Sequence, residues 1–227
     1  MFKEFAKNGV LTSGPAKRHV RENDLAACSW SYKLTLLGAF TVGYLIFYTF
    51  PNLFPLSPPR YLPLLAIDRQ TPFLPWTFVI YTSDYVLILL PFFWLKAPAA
   101  FNAYARMLFA VLIGCGLFFL FLPTAYPRPP YPKVDNLLIA GLMNFIAAAD
   151  NPTNSFPSMH VALTGAASWA VRVFGRRIHL LFWIWTLAVF ASTMTTKQHY
   201  FVDILGGIAV MVSIAALEWA VFEKKRK

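Results

Sequence analysis

Apolar residues in this chain gather into long runs with few charges, and they do not follow the one-sided or alternating patterns of a soluble fold. Six such runs stand out, at about Leu34 to Phe50, Phe73 to Trp94, Ala103 to Leu122, His160 to Phe174, Ile178 to Met194 and Phe201 to Phe222. Most approach the roughly 20 residues that a helix needs to cross a bilayer core. The fourth is shorter, and its Ala162, Gly165, Ala166 and Ala167 suit close helix packing, so it is expected inside a bundle. Between the third and fourth runs, Val134 to Asp150 carries an apolar stretch of about a dozen residues, too short to span and suited to lie at the interface. Such a helix would flank a lateral entrance for lipid. The pattern therefore predicts an all-α integral membrane protein of six transmembrane helices, with a short interfacial helix between spans 3 and 4. One membrane domain is expected over residues 30–223, between polar basic segments at 1–29 and 224–227.

Composition agrees: 58% of the residues are hydrophobic and 13% charged, too apolar for a soluble domain of this size. The net charge of +10 is unevenly placed. Arg60, Arg69, Arg128, Lys133 and Lys197 fall in the first, third and fifth loops, while all other Lys and Arg lie at the two ends or in the second and fourth loops. Basic residues collect on the cytoplasmic side, so both termini are expected inside the cell membrane and the odd-numbered loops outside, facing the periplasm or exterior. Anionic headgroups account for the charge, and nucleic-acid binding is not implied. In the N-terminal segment, Phe2, Phe5, Ala6 and Val10 have the spacing of a helix lying on the inner face. No small-residue cleavage site follows the first apolar run, so that run is expected to remain as an anchor. Cys28 and Cys115 are placed too far apart to pair, and a cysteine metal site is excluded. Proline crowds Pro51 to Pro75, which cannot be one regular helix and is long enough to fold back over the outer mouth. Its polar centre, Asp68 to Gln70, reads either as solvated loop or as a headgroup contact.

Chemistry concentrates at three span ends. In STMTTKQHYFVD, His199 and Asp203 are four residues apart at the mouth of the last helix and share a face. Asp203 can hold the His199 ring in one tautomer and leave the other nitrogen free to attack. In FPSMH, His160 opens the fourth run, with Pro157 and Ser158 just before it. Arg128 follows the third run. With six alternating spans all three ends emerge together, on the outer side. Arg128 and Lys197 can then neutralise a phosphate, Ser158 and the free N–H groups of the fourth helix can donate to it, and His160 can protonate the leaving oxygen. This set supports phosphoryl transfer through a phosphohistidine on His199, with no cofactor or metal required. Zinc on His160, His199 and Asp203 would have only three ligands and no second set. Arg128 reads alternatively as an interfacial anchor, His19 and His179 as structural, Tyr200 and Phe201 as an aromatic belt, and Gly206 and Gly207 as packing positions.

Taken in order, Arg128-Pro129, Pro157-Ser158-x-His160 and Ser192 followed by His199 and Asp203 resemble the three motifs of the type 2 phosphatidic acid phosphatase superfamily. The resemblance implies a six-helix membrane core and a phosphohistidine mechanism on a lipid phosphate. The chain departs from the family pattern at Phe121, where the first motif has Lys, and at Thr193, where the third has Arg. The wording PTAYPRP, FPSMH and KQHYFVD is similar to that of the inositol phosphorylceramide synthase branch, which moves phosphorylated headgroups between lipids. Three functions thus stand: a lipid phosphate phosphatase, a phosphotransferase with an alcohol acceptor, and a non-enzymatic carrier or subunit. A carrier would place its ionisable groups near mid-bilayer, whereas these lie at span ends. The sequence is silent on oligomeric state.

Overall fold

The structure is a computed structural model that describes residues 27–226; the expected inner-face helix of the N-terminal segment lies outside the described residues. The helices are α1 (Trp30–Leu53), α2 (Ala66–Gln70), α3 (Phe78–Thr82), α4 (Asp84–Trp94), α5 (Pro98–Phe121), α6 (Leu137–Ala149), α7 (Met159–Ala170), α8 (Arg176–Thr195) and α9 (Phe201–Arg226). Two two-residue strands, β1 (Arg60–Tyr61) and β2 (Thr124–Ala125), join them.

Among the described residues, five helical stretches are long and apolar enough to cross a membrane: Trp30–Leu53, Pro75–Trp94, Pro98–Phe121, Arg176–Thr195 and Phe201–Val221. The expected fourth span is not one of them. There the α-helix is α7, of 12 residues, followed by a 3₁₀ turn at Val171–Phe174. Its α-helical part rises only about 18 Å, short of a bilayer core. The run does lie inside the bundle, as its small residues predicted: every residue of α7 except His160 and Trp169 is buried. Around it the outer helices turn large apolar side chains outward, among them Val42, Leu89, Leu117, Leu187 and Val212. That is the surface a hydrocarbon solvent requires.

Close packing around α7 depends on small residues and hydroxyls. Ser168 and Thr186 Oγ atoms are 2.7 Å apart, and Thr186 Oγ1 also donates to the Thr164 carbonyl, so α7 and α8 share a buried polar seam. On α9, Gly207 lies against the start of α7: a Cβ there would come within 2.5 Å of the Ser158 carbonyl oxygen. A Cβ on Gly165 would meet Met211 of α9 at 2.8 Å.

The two ends of the bundle differ. At one, Lys33 is buried and donates from Nζ to the carbonyls of Phe92 (2.8 Å) and Leu95 (2.7 Å), which closes the C-terminal end of α4 with a cation. At the other, loops form a layer. β1 pairs in parallel with β2, Arg60 opposite Thr124 and Tyr61 opposite Ala125, and Thr124 is bridged in turn to Asn154. The proline-rich loop thus does fold back over this end, and its centre is ordered: Asp68 is buried, accepting from Leu65 N (2.8 Å) and from Phe201 N (2.7 Å) at the start of α9. Neither the strands nor this cap follows from helical periodicity. Both are local ties between polar loop groups that would otherwise be buried unpaired.

Replacing Gly207 by Ala should lower the melting temperature in detergent markedly, because the contact is with backbone, whereas Gly38→Ala, with nothing within 4 Å of its Cβ, should leave it unchanged or raise it slightly. Equal effects at the two positions would show that the α7–α9 contact is not tight.

Candidate active site

His199 lies in the turn between α8 and α9, and two hydrogen bonds decide its chemistry. Its Nδ1 is 2.9 Å from the carbonyl oxygen of Ser155 and 3.2 Å from Asp203 Oδ2. A carbonyl can only accept, so Nδ1 carries the hydrogen and Nε2 is left with its lone pair. Asp203 is wholly buried and also accepts from Tyr200 N (2.9 Å), so one carboxylate oxygen closes the first turn of α9 and orients the ring. The four-residue spacing anticipated this pair. It did not anticipate Ser155, a backbone contribution that no side-chain pattern encodes.

His199 Nε2 faces His160 Nδ1 at 3.4 Å, with the ring centroids 5.5 Å apart. The rings meet because α7 and α9 begin together: Ser158 N donates to the Asp203 carbonyl at 3.0 Å. Ser158 is fully buried, and its hydroxyl caps α7 by accepting from Val161 N (3.5 Å). The far nitrogen of His160, Nε2, lies 2.9 Å from Tyr81 Oη and 3.8 Å from Asp84 Oδ2.

Arg128 comes from the segment after β2 and is paired with Asp150 at the end of α6. Nη2 contacts Asp150 Oδ2 at 2.7 Å, Nη1 donates to the Asp150 carbonyl, and Nε has no partner among the described residues. Asp150 is held from α1 as well, by Tyr48 Oη (2.7 Å) and Asn52 Nδ2 (3.1 Å). Burial is the largest single influence on Arg128 and opposes its charge, but Asp150, Tyr81 and Tyr131 together outweigh it and keep the guanidinium more firmly protonated than usual.

Of the six residues singled out by the sequence, the structure brings His199, Asp203 and His160 into one contact set, with Ser158 at its base. Lys197 is directed elsewhere. Its backbone takes a left-handed turn (φ 56°), and Nζ donates to the carbonyls of Asp68 (2.9 Å) and Thr71 (2.5 Å). Burial holds the ammonium below its ordinary pKa range, with Asp68 opposing. Neither departure from the family pattern supplies a cation: Phe121 is exposed and apolar, and the buried Thr193 hydroxyl donates to the Phe190 carbonyl. Tyr200 is also no belt residue. It is wholly buried, with its hydroxyl on the Ala125 carbonyl (3.0 Å).

Sequence reasoning missed Tyr81, Asp84 and Asp150. A usable mark existed for Asp84, the one acid in the second apolar run, since an ionisable group in such a run generally has a functional partner. A cavity of about 290 Å³ opens beside these groups, lined by Tyr48, Asn52, Tyr81, Phe145, Asp150 and His160. It adjoins a second of about 170 Å³ that shares Tyr44, Tyr48, Tyr85 and His160. Together they run from His160 past α1, α4 and α6.

Among the described residues, five helices long and apolar enough to cross a membrane, with two facing imidazoles and a carboxylate gathered at one end, mark the chain as a membrane protein. Within that class the chain belongs to the PAP2 superfamily, whose model matches residues 63–217. Membership carries phosphatase-type activity, in general terms, on a substrate in the membrane. The match takes in every residue from Asp84 to Asp203 described above and leaves out α1. No match was found among curated proteins.

If Lys197 ties the outer loop to the α8–α9 turn, Lys197→Met should cost stability on the order of 1–3 kcal/mol while KM for a phosphorylated lipid stays within about threefold of wild type. A large rise in KM at unchanged stability would instead make Lys197 a phosphate ligand.

Proposed function

We propose that the chain is a lipid phosphoryl-transfer enzyme that works through a phosphohistidine on His199. The observation that carries this reading is the directed pair: a His199 Nε2 freed of its hydrogen by Ser155 and Asp203, facing the Nδ1 of a second histidine. In the first step Nε2 attacks phosphorus. The N–P bond forms as the P–O bond to the leaving group breaks, and His160 Nδ1 gives its proton to the leaving oxygen. In the second step an acceptor O–H returns a proton to His160 as the new P–O bond forms and the N–P bond breaks. Water as acceptor makes the enzyme a lipid phosphate phosphatase acting on a phosphomonoester or pyrophosphate. The unpartnered Arg128 Nε is suited to a phosphoryl oxygen. Substrate enters sideways, through the cavities beside α6. We read α7 and its 3₁₀ extension as a sixth, shortened traversal. The charge asymmetry then puts both termini in the cytoplasm and the site at the outer face of the cell membrane.

A second reading has its own support. Arg128 is already neutralised by Asp150, Lys197 is occupied by loop carbonyls, and Phe121 and Thr193 bring no charge. So little free positive charge suits a phosphodiester monoanion better than a phosphomonoester dianion. This favours transfer of a phosphorylated headgroup to a lipid alcohol, as in inositol phosphorylceramide synthase-like enzymes.

Purified protein incubated with ³²P-labelled phosphatidic acid, and separately with a headgroup-labelled phospholipid, should give an acid-labile, base-stable label on the protein that is absent from His199→Ala. His160→Ala should lower turnover by about 10²- to 10⁴-fold with the fold retained, and Asp203→Asn should lower it substantially through loss of tautomer control. Free phosphate as product makes water the acceptor, and a new phosphorylated lipid makes it an alcohol. Near wild-type turnover in either histidine variant would overturn the assignment of roles.

A further inference from the structure

Asp84 is not used by the chemistry above, yet it occupies a costly position. It is the first residue of α4, placed there because the helical stretch from Pro75 is broken at Thr82–Ser83, where Ser83 Oγ donates to the Ile80 carbonyl (2.6 Å) and Trp185 Nε1 donates to Ser83 Oγ (2.7 Å). The carboxyl is buried, lines the smaller cavity and leaves Oδ1 without a hydrogen-bond partner among the described residues. A carboxylate in such surroundings is expensive unless a positive group stands near it. The nearest candidate is His160, whose Nε2 is 3.8 Å from Asp84 Oδ2.

The arrangement on the two histidines is parallel, although Asp203 is hydrogen-bonded to its ring while Asp84 stands at ion-pair distance and the Tyr81 hydroxyl takes the hydrogen bond. His199 turns Nε2 toward the reacting position and has Asp203 behind Nδ1; His160 turns Nδ1 toward the same position and has Asp84 and the Tyr81 hydroxyl behind Nε2. The two pairs differ in what their chemistry requires. His199 must be a neutral nucleophile, and the Ser155 carbonyl beside Asp203 serves that by holding a single N–H. His160 must be protonated when the substrate arrives, and most of its surroundings bring it no negative charge: it is largely buried, it faces the imidazole of His199 on the α8–α9 turn, and Arg128 after β2 is a cation. Asp150 at the end of α6 is negative but is paired with Arg128. Tyr44 and Tyr48 on α1, Tyr81 on α3 and Tyr85 on α4 line the same cavities and bring no charge at neutral pH.

We propose that Asp84 is the positioning carboxylate of His160, forming a second acid–imidazole pair that keeps this ring protonated and its Nδ1–H aimed at the leaving oxygen. The proton transferred in the first step leaves Nδ1, and the acceptor restores it in the second step. This rests on the phosphoryl-transfer reading of the site, and it assigns to a residue outside the three recognised motifs the control of the acid's protonation state.

The test is the pH dependence of kcat for the full chain in detergent micelles with phosphatidic acid, in the wild type, Asp84→Asn and Asp84→Glu. Removing the negative charge lowers the affinity of His160 for its proton, so the alkaline limb, where the acid is lost, should move to lower pH by about one unit in Asp84→Asn. Turnover at the optimum should fall about 10- to 100-fold. Asp84→Glu, which keeps the charge, should hold the limb near its wild-type position even if the rate falls. A lower rate in Asp84→Asn with both limbs unmoved would reduce Asp84 to a packing residue and overturn the proposal. If the Asn variant does not fold, ¹⁵N-histidine spectra of the wild type decide: His160, assigned with His160→Gln, should be doubly protonated at the pH of maximal turnover, and a neutral ring there would be equally fatal. Absence of wild-type turnover on every lipid phosphate and phospholipid offered would instead sink the phosphoryl-transfer reading, while the spectra near neutral pH would still report whether Asp84 holds the proton on His160.

Discussion

The active end of this molecule depends on one junction, the hydrogen bond from Ser158 N to the carbonyl of Asp203. It binds the first turn of α7 to the first turn of α9, and Gly207 keeps the two backbones close enough for it to form. His160 lies two residues beyond one partner and His199 four residues before the other, so their nitrogens meet at 3.4 Å as a consequence of where two helices start. Helix starts are suited to this work. Their N–H groups lack partners within the helix, and here they are satisfied by Ser158, Asp203 and Asp68, which lock each start in place.

A second theme is the handling of buried charge. Lys33 is closed by two carbonyls, Arg128 by Asp150, Lys197 by two carbonyls of the outer loop, and Asp68 by the Leu65 and Phe201 amides. Each meets the requirement that a charge removed from water find fixed partners. Satisfaction is incomplete at Asp84 Oδ1, Asp203 Oδ1 and Arg128 Nε, buried atoms near the paired histidines that have no hydrogen-bond partner among the described residues.

The apolar runs made the long helices legible, and five of the six expected spans have counterparts of crossing length. The fourth is shorter than crossing length, and it lies inside the bundle, as its small residues led one to expect. His199 and Asp203 were legible from their spacing, since four residues is a local relation that the helix enforces. Arg128 was legible as a motif but not in its pairing, because Asp150 reaches it from 22 residues away through a loop. Lys197 was misplaced by proximity in sequence: its left-handed turn sends the side chain to Asp68 and Thr71, and a string of letters shows no turn direction. Tyr81 and Asp84 approach His160 from α3 and α4, a tertiary relation that the spacing around His160 does not encode.

The tie between the proline-rich loop and α9 sets how this end can move. Asp68 holds the amide of Phe201, Lys197 holds the loop's carbonyls, and β1 is zipped to β2, so the loop and the turn bearing His199 are stitched in sequence. The loop is therefore not an independent lid. Mechanically it is a lever arm on that turn, so a displacement of the loop is also a displacement of the segment that aims the His199 ring.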